Sequence, residues 1–262
     1  MSFAFICAVA LLASALTFFS GFGLGTLLLP AFALRFPIEV AIAATAVVHL
    51  ANNLFKLVLV GRATDRSVML RFAIPAAGAA WVGAWILSLL GDMRPIATWN
   101  LGERVCEVTW IKSVIAVIMA GFAAVELTPS FDRWAFDPRY LPLGGVISGF
   151  FGGVSGHQGA LRSAFLVRCG LSKEAFIATG VASACIVDVA RLAVYGREFY
   201  TEKFAAVGEG GGWHLVGAAC LAAFIGAFAG ARLVKKVTMR FVRVGVGIML
   251  LGVSAALGAG VI

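Results

Sequence analysis

Four charged side chains lie within long apolar stretches of this 262-residue chain: Lys56, Arg162, Asp188 and Arg191. A charged side chain that faces lipid at the centre of a bilayer costs at least about 2.5–3.5 kcal/mol. We therefore expect all four to face the interior of the protein. Asp188 and Arg191 are three residues apart, so on a helix they can form an ion pair across one turn, for structure or for coupling.

A polar stripe occupies the second apolar segment and consists of His49, Asn52, Asn53 and Lys56. Their i, i+3, i+4 and i+7 spacing puts them on one helix face, which lines a cavity or bonds to neighbouring helices; the sequence favours neither. A shift of 135 residues superimposes Lys56 on Arg191 and Asn53 on Asp188. Arg191 thus has a carboxylate three residues before it, whereas Lys56 has a neutral amide and would remain available to a ligand.

A glycine-rich interruption precedes Arg162 and contains Ser155, His157 and Gln158. The first turn of a helix offers N–H groups without intrahelical acceptors and a partial positive charge, so an added cation there suits a bound anion. Alternatively, Arg162 donates to backbone carbonyls of another broken segment. His157 could donate to an anion or carry a proton near neutral pH. A plain hydrogen bond from His157 to backbone freed by the break is equally compatible with the sequence.

An earlier interruption runs from Ser20 to Gly25 and closes at Pro30. An oxyanion has several acceptor lone pairs and therefore suits donors that converge from two directions, one from each interruption. The predicted substrate-binding residues are Arg162, Lys56, His157, Gln158, Ser155, Gly23, Gly25, Thr26, His49 and Asn53.

The composition indicates a polytopic membrane protein. Apolar residues make up 61% of the chain and charged residues 13%, against roughly 45–50% and about 25% in soluble domains. So few charges cannot cover a soluble surface, which argues against a cytosolic enzyme, a disordered chain, a collagen and a disulfide scaffold. The net charge of +8 is typical of Lys- and Arg-rich cytoplasmic loops, so a small anion and lipid are expected as partners, not nucleic acid.

The five cysteines have no paired spacing. We therefore expect them to be small packing residues, with no metal and no cofactor. The chain carries no charge before Arg35, and its first apolar run is too long for a cleaved signal peptide.

Eight apolar segments hold these residues, at about 2–34, 38–60, 68–90, 109–128, 141–167, 174–195, 213–231 and 244–262. A membrane span needs about 20 apolar residues, so six of them are ordinary spans. Segments 2–34 and 141–167 are longer and contain the two glycine interruptions. Irregular backbone at membrane depth survives only inside protein or beside a water-filled cavity. The two broken segments should therefore meet in the interior.

The broken segments occupy matching places in two halves of the chain, and the 135-residue shift also superimposes Glu39 on Glu174. We predict an all-α fold of two inverted repeats, each a glycine-broken helical hairpin plus three transmembrane helices. The first repeat is 1–128, the linker 129–140 and the second repeat 141–262. Chance agreement between apolar segments is the alternative. Paired broken helices are the best sequence indication of a transporter binding site.

The positive charges of the loops help to decide whether the two broken segments cross the membrane or return to the face from which they entered. If all eight segments cross the membrane, the eighteen loop Lys and Arg residues divide eleven to seven. If the two broken segments return as hairpins, they divide twelve to six, a stronger positive-inside pattern. Each repeat then has three crossings, so the second repeat is inverted and both termini are outside. Eight full spans are the alternative.

Two glycine-rich runs occupy corresponding places in the two halves. The first is Gly-Phe-Gly-Leu-Gly-Thr-Leu-Leu-Leu-Pro from Gly21 to Pro30, followed by Pro37-Ile38-Glu39-Val40-Ala41. The second is Gly-Phe-Phe-Gly-Gly-Val-Ser-Gly from Gly149 to Gly156, followed by Gly159 through Leu171 and by Ala178-Thr179-Gly180. These runs resemble the two repeats of the sulfite exporter TauE/SafE family. The likeness covers both halves, although the triple-glycine run is incomplete in each and His157-Gln158 replaces glycines in the second.

The resemblance implies a multi-pass transporter of the cell (inner) membrane. It would export small sulfur-containing anions, namely sulfite, sulfonates such as sulfoacetate, or related organic anions. Alternating access with the anion between the two broken helices is the expected mechanism. A homo-oligomer is compatible with the sequence.

Two other functions fit parts of the sequence. A passive anion channel could use the same fold. Gly153-Val154-Ser155-Gly156 is also the Gly-x-Ser-Gly pattern of rhomboid intramembrane proteases, in which a serine such as Ser155 needs a base such as His214 within hydrogen-bond reach. His214 follows Trp213 at the start of a segment, a position typical of an interface residue. We therefore expect a transporter rather than an enzyme.

Overall fold

The computed structural model describes residues 3–16, 18, 23–129, 134–196, 211–233 and 239–262. Helices dominate these ranges, and the chain is an all-α polytopic membrane protein, as the composition predicts. The helices are α1 Phe3–Leu16, α2 Leu24–Ala33, α3 Ile38–Val60, α4 Arg66–Gly91, α5 Trp110–Leu127, α6 Leu141–Ser155, α7 Gly159–Leu166, α8 Lys173–Tyr195, α9 Gly212–Leu233 and α10 Met239–Gly258. Short 3-10 turns lie at Gly61–Ala63 and Pro138–Tyr140.

In the described ranges, five helices are long and apolar enough to cross a membrane, namely α3, α4, α5, α8 and α9. The sequence predicted a sixth full span at 244–262. Within the described residues, the apolar part of α10 is Val244–Gly258. In the most apolar window of each helix, 72% of α8 and 56% of α3 are buried, against 33% of α4. Helices α3 and α8 therefore form the centre of the bundle.

Each long predicted segment is interrupted at its glycine cluster. Gly23 begins α2 with φ 112°, and Gly156 ends α6 with φ 80°. Both values lie in the left-handed region, which glycine enters without the strain that a Cβ would cause. Of the first predicted interruption, residues 20–22 lie outside the described residues.

Helices α6 and α7 form a hairpin. The Phe136 amide, just before α6, donates to the Ala164 carbonyl of α7 at 3.1 Å. The Phe136 ring stacks on the Phe165 ring with centroids 4.3 Å apart. A Cβ placed on Gly144 would overlap the Phe165 ring. The end of α7 thus lies beside the start of α6, so the segment returns to the side it came from.

Helix α6 packs on α4 with the two backbones in contact. A Cβ on Gly149 would overlap the Ala76 carbonyl, and one on Gly153 would overlap the Ala80 carbonyl. Small residues at four-residue intervals permit this close approach between membrane helices. Because contacts advance in the same direction on both helices, α4 and α6 run parallel.

Helices α1 and α9 pack in the same way, but here the glycines lie on the unbroken helix α9 and not on the broken segment. A Cβ on Gly226 would overlap the Leu11 carbonyl, and a Cβ on Gly230 would lie 2.5 Å from the Ala15 carbonyl oxygen. These helices also run parallel. Each broken segment therefore packs against a helix from the other half of the chain.

Helices α5 and α10 pack antiparallel. Ser254 in α10 donates to the Ala116 carbonyl of α5 at 2.9 Å, whereas Gly247 approaches Leu127. The later residue of α10 thus meets the earlier residue of α5.

Helix ends cluster at two faces of the bundle. On one face, a cavity of about 450 Å³ is lined by residues 33–39 between α2 and α3, the start of α5 and the terminal Ile262. Gly91 at the end of α4 approaches Glu39 on the same face. On the other face, the Asp65 amide before α4 donates to the Thr179 hydroxyl in the second turn of α8, at 3.0 Å.

A β-hairpin connects α4 to α5 and was not predicted. Its strands, β1 Ala97–Leu101 and β2 Arg104–Val108, pair antiparallel with Leu101 opposite Arg104. Gly102 has φ 64° at the first position of the two-residue turn, where a positive φ is required. The Trp99 indole donates to the Ala259 carbonyl at 2.8 Å and ties the hairpin to the end of the chain.

Candidate functional site

The two interruptions meet in the interior of the bundle. A Cβ placed on Gly25, in the first turn of α2, would lie 3.4 Å from the Gly156 carbonyl oxygen and 3.7 Å from the His49 ring. The same position is 4.0 Å from a Thr45 methyl group. Gly25 thus lies between the second break and helix α3, where an added methyl group would make van der Waals contact with both.

Asp188 is the hub of the buried polar network. Its Oδ2 accepts from His49 Nδ1 at 2.6 Å and from Asn53 Nδ2 at 3.4 Å. Its Oδ1 accepts from Gln158 Nε2 at 3.2 Å and from Arg191 Nε at 3.0 Å, with Arg191 Nη2 at 2.8 Å. The Asp188 side chain is 0% exposed. One carboxylate therefore joins α3, α8 and the second break.

The protein itself occupies much of the bonding capacity of Arg191. Besides its ion pair with Asp188, Arg191 donates from Nη1 to the Gly152 carbonyl at 3.4 Å. Gln158, which is a predicted substrate-binding residue, donates from its amide to Asp188. A buried carboxylate needs several donors to offset its lost hydration, which explains why it takes up this amide.

Arg162 lies in the first turn of α7 and is 3% exposed. Its Nη1 donates to Gln158 Oε1 at 3.2 Å, so Gln158 links Arg162 to Asp188. A Cβ on Gly180 would lie 3.5 Å from Arg162 Nε. Gly180 of α8 thus lies next to the Arg162 side chain of α7.

Lys56 is buried on α3, with 4% of the residue exposed. Its ammonium lies 5.4 Å from the centroid of the Phe18 ring, within the range of a cation–π interaction. The ammonium and the Arg162 guanidinium repel each other electrostatically. Among the residues that the structure describes, no carboxylate forms an ion pair with Lys56.

His157 is held between Ser155 and an aromatic ring. Ser155 Oγ donates to the Phe151 carbonyl at 3.1 Å and lies 3.0 Å from His157 Nδ1, which therefore carries the proton between them. The His157 ring stacks on Phe122 with centroids 5.1 Å apart. Nε2 has no hydrogen-bond partner in the described part of the chain. This nitrogen accepts when the ring is neutral and donates only when the ring is protonated.

The first turns of α2 and α7 both begin at a break. The first intrahelical bonds run from the Leu27 amide to the Gly23 carbonyl and from the Arg162 amide to the Gln158 carbonyl. The three amides that precede each of these have no acceptor within the helix. Thr26 belongs to the first of these turns and is 9% exposed.

The structure thus joins six of the predicted residues, namely His49, Asn53, Gln158, Arg162, Asp188 and Arg191, in one hydrogen-bonded cluster beside Gly25. His157 and Ser155 form a separate pair in the same break. Lys56 and Thr26 have no recorded bond to the cluster.

Several residues of the site were not predicted. Ser148 Oγ donates to the Gln158 carbonyl at 2.8 Å, and the Tyr195 hydroxyl donates to the Gly153 carbonyl, so both hold the second break. Ser14 Oγ donates to Asn52 Oδ1 at 2.9 Å. The only sequence signal for the serines was an isolated hydroxyl in an apolar helix, which most often bonds to its own helix.

The protease alternative receives no geometric support. Ser155 is 2% exposed inside the break, whereas His214 is exposed at the start of α9. The structure records no contact between His214 and Ser155 within the described ranges.

These features define a polytopic helical membrane protein whose interior holds a polar site where two broken helices meet. The buried charges on α3, α7 and α8 are three cations, Lys56, Arg162 and Arg191, and one carboxylate, Asp188. The family model of the sulfite exporter TauE/SafE matches residues 6–257. The chain belongs to this family and is therefore a membrane transporter. Neither the curated proteins nor the solved structures give a match to the chain.

Proposed function

We propose that this transporter exports sulfite, or organic anions such as sulfonates, by alternating access across the cell (inner) membrane. The anion would bind where the two broken helices meet. The observation that carries the proposal is the imbalance of buried charge at the breaks. Three cations lie against one carboxylate on α3, α7 and α8, and one further buried carboxylate, Glu126, lies on α5.

The imbalance favours an anionic ligand on energetic grounds. Asp188 offsets Arg191 directly and attracts Arg162. Buried cations in excess of their counter-charges are costly, by several kcal/mol per ion even after relaxation. A bound anion would lower this cost, and a bound cation would raise it.

Donors from both halves would complete the site. The first-turn amides of α2 and α7, with Gly23, Gly25 and Thr26 on one side and Ser155 and Gln158 on the other, would surround the oxygens of the anion. Arg162 and Lys56 would supply charge, and His157 would donate in its protonated form. Donors that converge from two helix ends suit an oxyanion with several lone pairs.

The pattern of helix contacts supports two repeats at 1–128 and 141–262, joined by a linker at 129–140. If α1, α3, α4 and α5 correspond to α6, α8, α9 and α10, the contact between α4 and α6 corresponds to the contact between α9 and α1. The corresponding helices α3 and α8 also contact each other, and so do α5 and α10. Asn53 Nδ2 lies 3.4 Å from Asp188, and these two residues are 135 positions apart. Contact between residues related by the repeat shift is expected beside a twofold axis.

The directions of the helices support an inverted second repeat. Helices α3, α4 and α5 alternate in direction, and α10 runs opposite to α5. Because α6 runs parallel to α4 and α1 runs parallel to α9, the two broken segments enter the bundle from opposite faces. This arrangement is the one that gives the twelve-to-six division of loop cations. Of these cations, Arg133, Arg197, Lys203, Lys235 and Lys236 lie outside the described residues.

The membrane potential would supply the driving force. A monoanion leaving a cell with a negative interior gains about 2.3 kcal/mol per 100 mV. Export therefore needs no coupled ion.

The test is efflux from proteoliposomes. Arg162→Gln should abolish sulfite and sulfonate transport, whereas Arg62→Gln, a matched change in an exposed turn, should leave it intact. Equal transport by both variants would refute the role of Arg162. Counterflow separates a carrier from a channel, because only a carrier accelerates labelled anion entry when unlabelled anion is loaded inside.

A further inference from the structure

We propose that Asn52 and Lys56 form an anion-binding position on α3, with Ser14 as the residue that orients Asn52. This inference rests on the anion transport proposed above and adds two residues that the sequence did not assign. The ligand group is a single oxyanion, either sulfite itself or the sulfonate head of a larger anion.

Asn52 presents unused donors in the interior. The residue is 0% exposed, and its Oδ1 accepts from Ser14 Oγ at 2.9 Å. Its Nδ2 has no hydrogen-bond partner among the residues described. A buried amide without an acceptor costs the protein its full desolvation penalty, so such groups are rare unless a ligand uses them. Because Ser14 fixes the oxygen, the two N–H groups point away from Ser14.

Lys56 lies one turn after Asn52 on the same face of α3. Residues four apart on a helix are neighbours, so the amide and the ammonium can contact one ligand. The ammonium has the Phe18 ring on one side and, in the described ranges, no ion-paired carboxylate on the other. An unpaired amide donor and a cation without an ion-paired carboxylate among the described residues thus lie one helical turn apart.

In the second half of the chain, the cation that corresponds to Lys56 has a carboxylate beside it, whereas Lys56 has none three residues before it. At the related positions, Arg191 has Asp188 three residues before it and binds that carboxylate at 2.8 Å. The residue three before Lys56 is the neutral Asn53, whose amide is turned toward Asp188. The protein therefore supplies an oxyanion to Arg191 from its own chain. The corresponding oxyanion at Lys56 would be the substrate.

The pair also limits the chemistry of the ligand. One oxygen would accept from the ammonium and a second from Asn52, which requires at least two acceptor oxygens on one centre. Sulfite and sulfonates meet this requirement, whereas a halide does not.

Asn52→Asp tests the position directly. The change keeps the volume and the acceptor for Ser14, and it places a carboxylate four residues before Lys56. We expect the melting temperature of the ligand-free protein to stay unchanged or rise. The affinity for sulfite should fall about tenfold to a hundredfold, the equivalent of losing one charge-assisted contact. Ser14→Ala should weaken binding less, and Ser254→Ala, a matched buried serine between α5 and α10, should not change it.

The outcomes separate this inference from the proposed function. If the unchanged protein binds neither sulfite nor sulfonates in thermal-shift and isothermal calorimetry measurements, the proposed function fails. If it binds them and Asn52→Asp binds equally well, only the position on α3 is wrong. The variant Asn52→Ala, which has no carboxylate, is the reference for stability. If the melting temperature of Asn52→Asp is well below that of Asn52→Ala, the new carboxylate has no cation beside it, and this result also overturns the inference.

Discussion

Removal of the Asp188 carboxylate should destabilise the protein in part through the unpaired charge that it leaves on Arg191. In Asp188→Ala, Arg191 keeps its donation to the Gly152 carbonyl but loses its counter-ion in a site that is 0% exposed. Breaking one partner of a buried ion pair costs about 3–5 kcal/mol. We expect this loss in the free energy of unfolding.

The contribution of Arg191 can be separated from that of the neutral donors. His49, Asn53 and Gln158 also lose an acceptor when Asp188 is removed. Three hydrogen bonds from neutral donors to a carboxylate, at about 1.5–3 kcal/mol each, give about 4.5–9 kcal/mol if all are lost, and less if the side chains find other partners. The double variant Asp188→Ala/Arg191→Met removes the unpaired charge. It should therefore be more stable than Asp188→Ala alone.

The assay is reversible unfolding of the purified protein in mixed micelles, followed by tryptophan fluorescence. A double-mutant cycle with Arg191→Met gives the coupling energy between the two side chains. If the double variant is no more stable than Asp188→Ala, the unpaired guanidinium is not the source of the loss. The description of Asp188 as a counter-ion would then be wrong.

Three further experiments test the helix packing, the attachment of the β-hairpin and the protease alternative. Gly149→Ala should push α4 and α6 apart and lower the free energy of unfolding by about 1–3 kcal/mol. In the control Gly121→Ala, the added Cβ meets no atom within 4 Å, so the free energy of unfolding should rise by up to about 1 kcal/mol. Equal effects of the two substitutions would contradict the close contact between the helices. Trp99→Phe should cost about 0.5–1.5 kcal/mol by removing the bond to Ala259, and an unchanged melting temperature would show that this bond does not stabilise the hairpin. A fluorophosphonate probe should not label the protein, and labelling that disappears in Ser155→Ala would restore the protease alternative.

Hydropathy located most of the helices because length and glycine content are local properties. The predicted segment 38–60 coincides with α3, and segment 174–195 differs from α8 by one residue. The breaks were predictable because only glycine adopts φ near +80° to +112° without strain, as Gly23 and Gly156 do.

The prediction was poorer where the outcome depends on contacts between distant segments. The strands of the hairpin are exposed along β1 and gain their order from each other and from Ala259, so no apolar segment marked them. The spacing of Asp188 and Arg191 predicted an ion pair within one helix. It contained no information about His49, which lies 139 residues away and binds the same carboxylate.

The closest helix contacts in the described chain join opposite halves, since α6 is pressed against α4 and α1 against α9. Separation of the helices in either pair would open a gap between two backbones that are in contact. Each pair should therefore move as one rigid body. The bodies that move during a transport cycle would then be assembled from both ends of the polypeptide. A cut of the chain between α5 and α6 would leave two pieces, and both helix pairs would still be complete because each contains one helix from each piece.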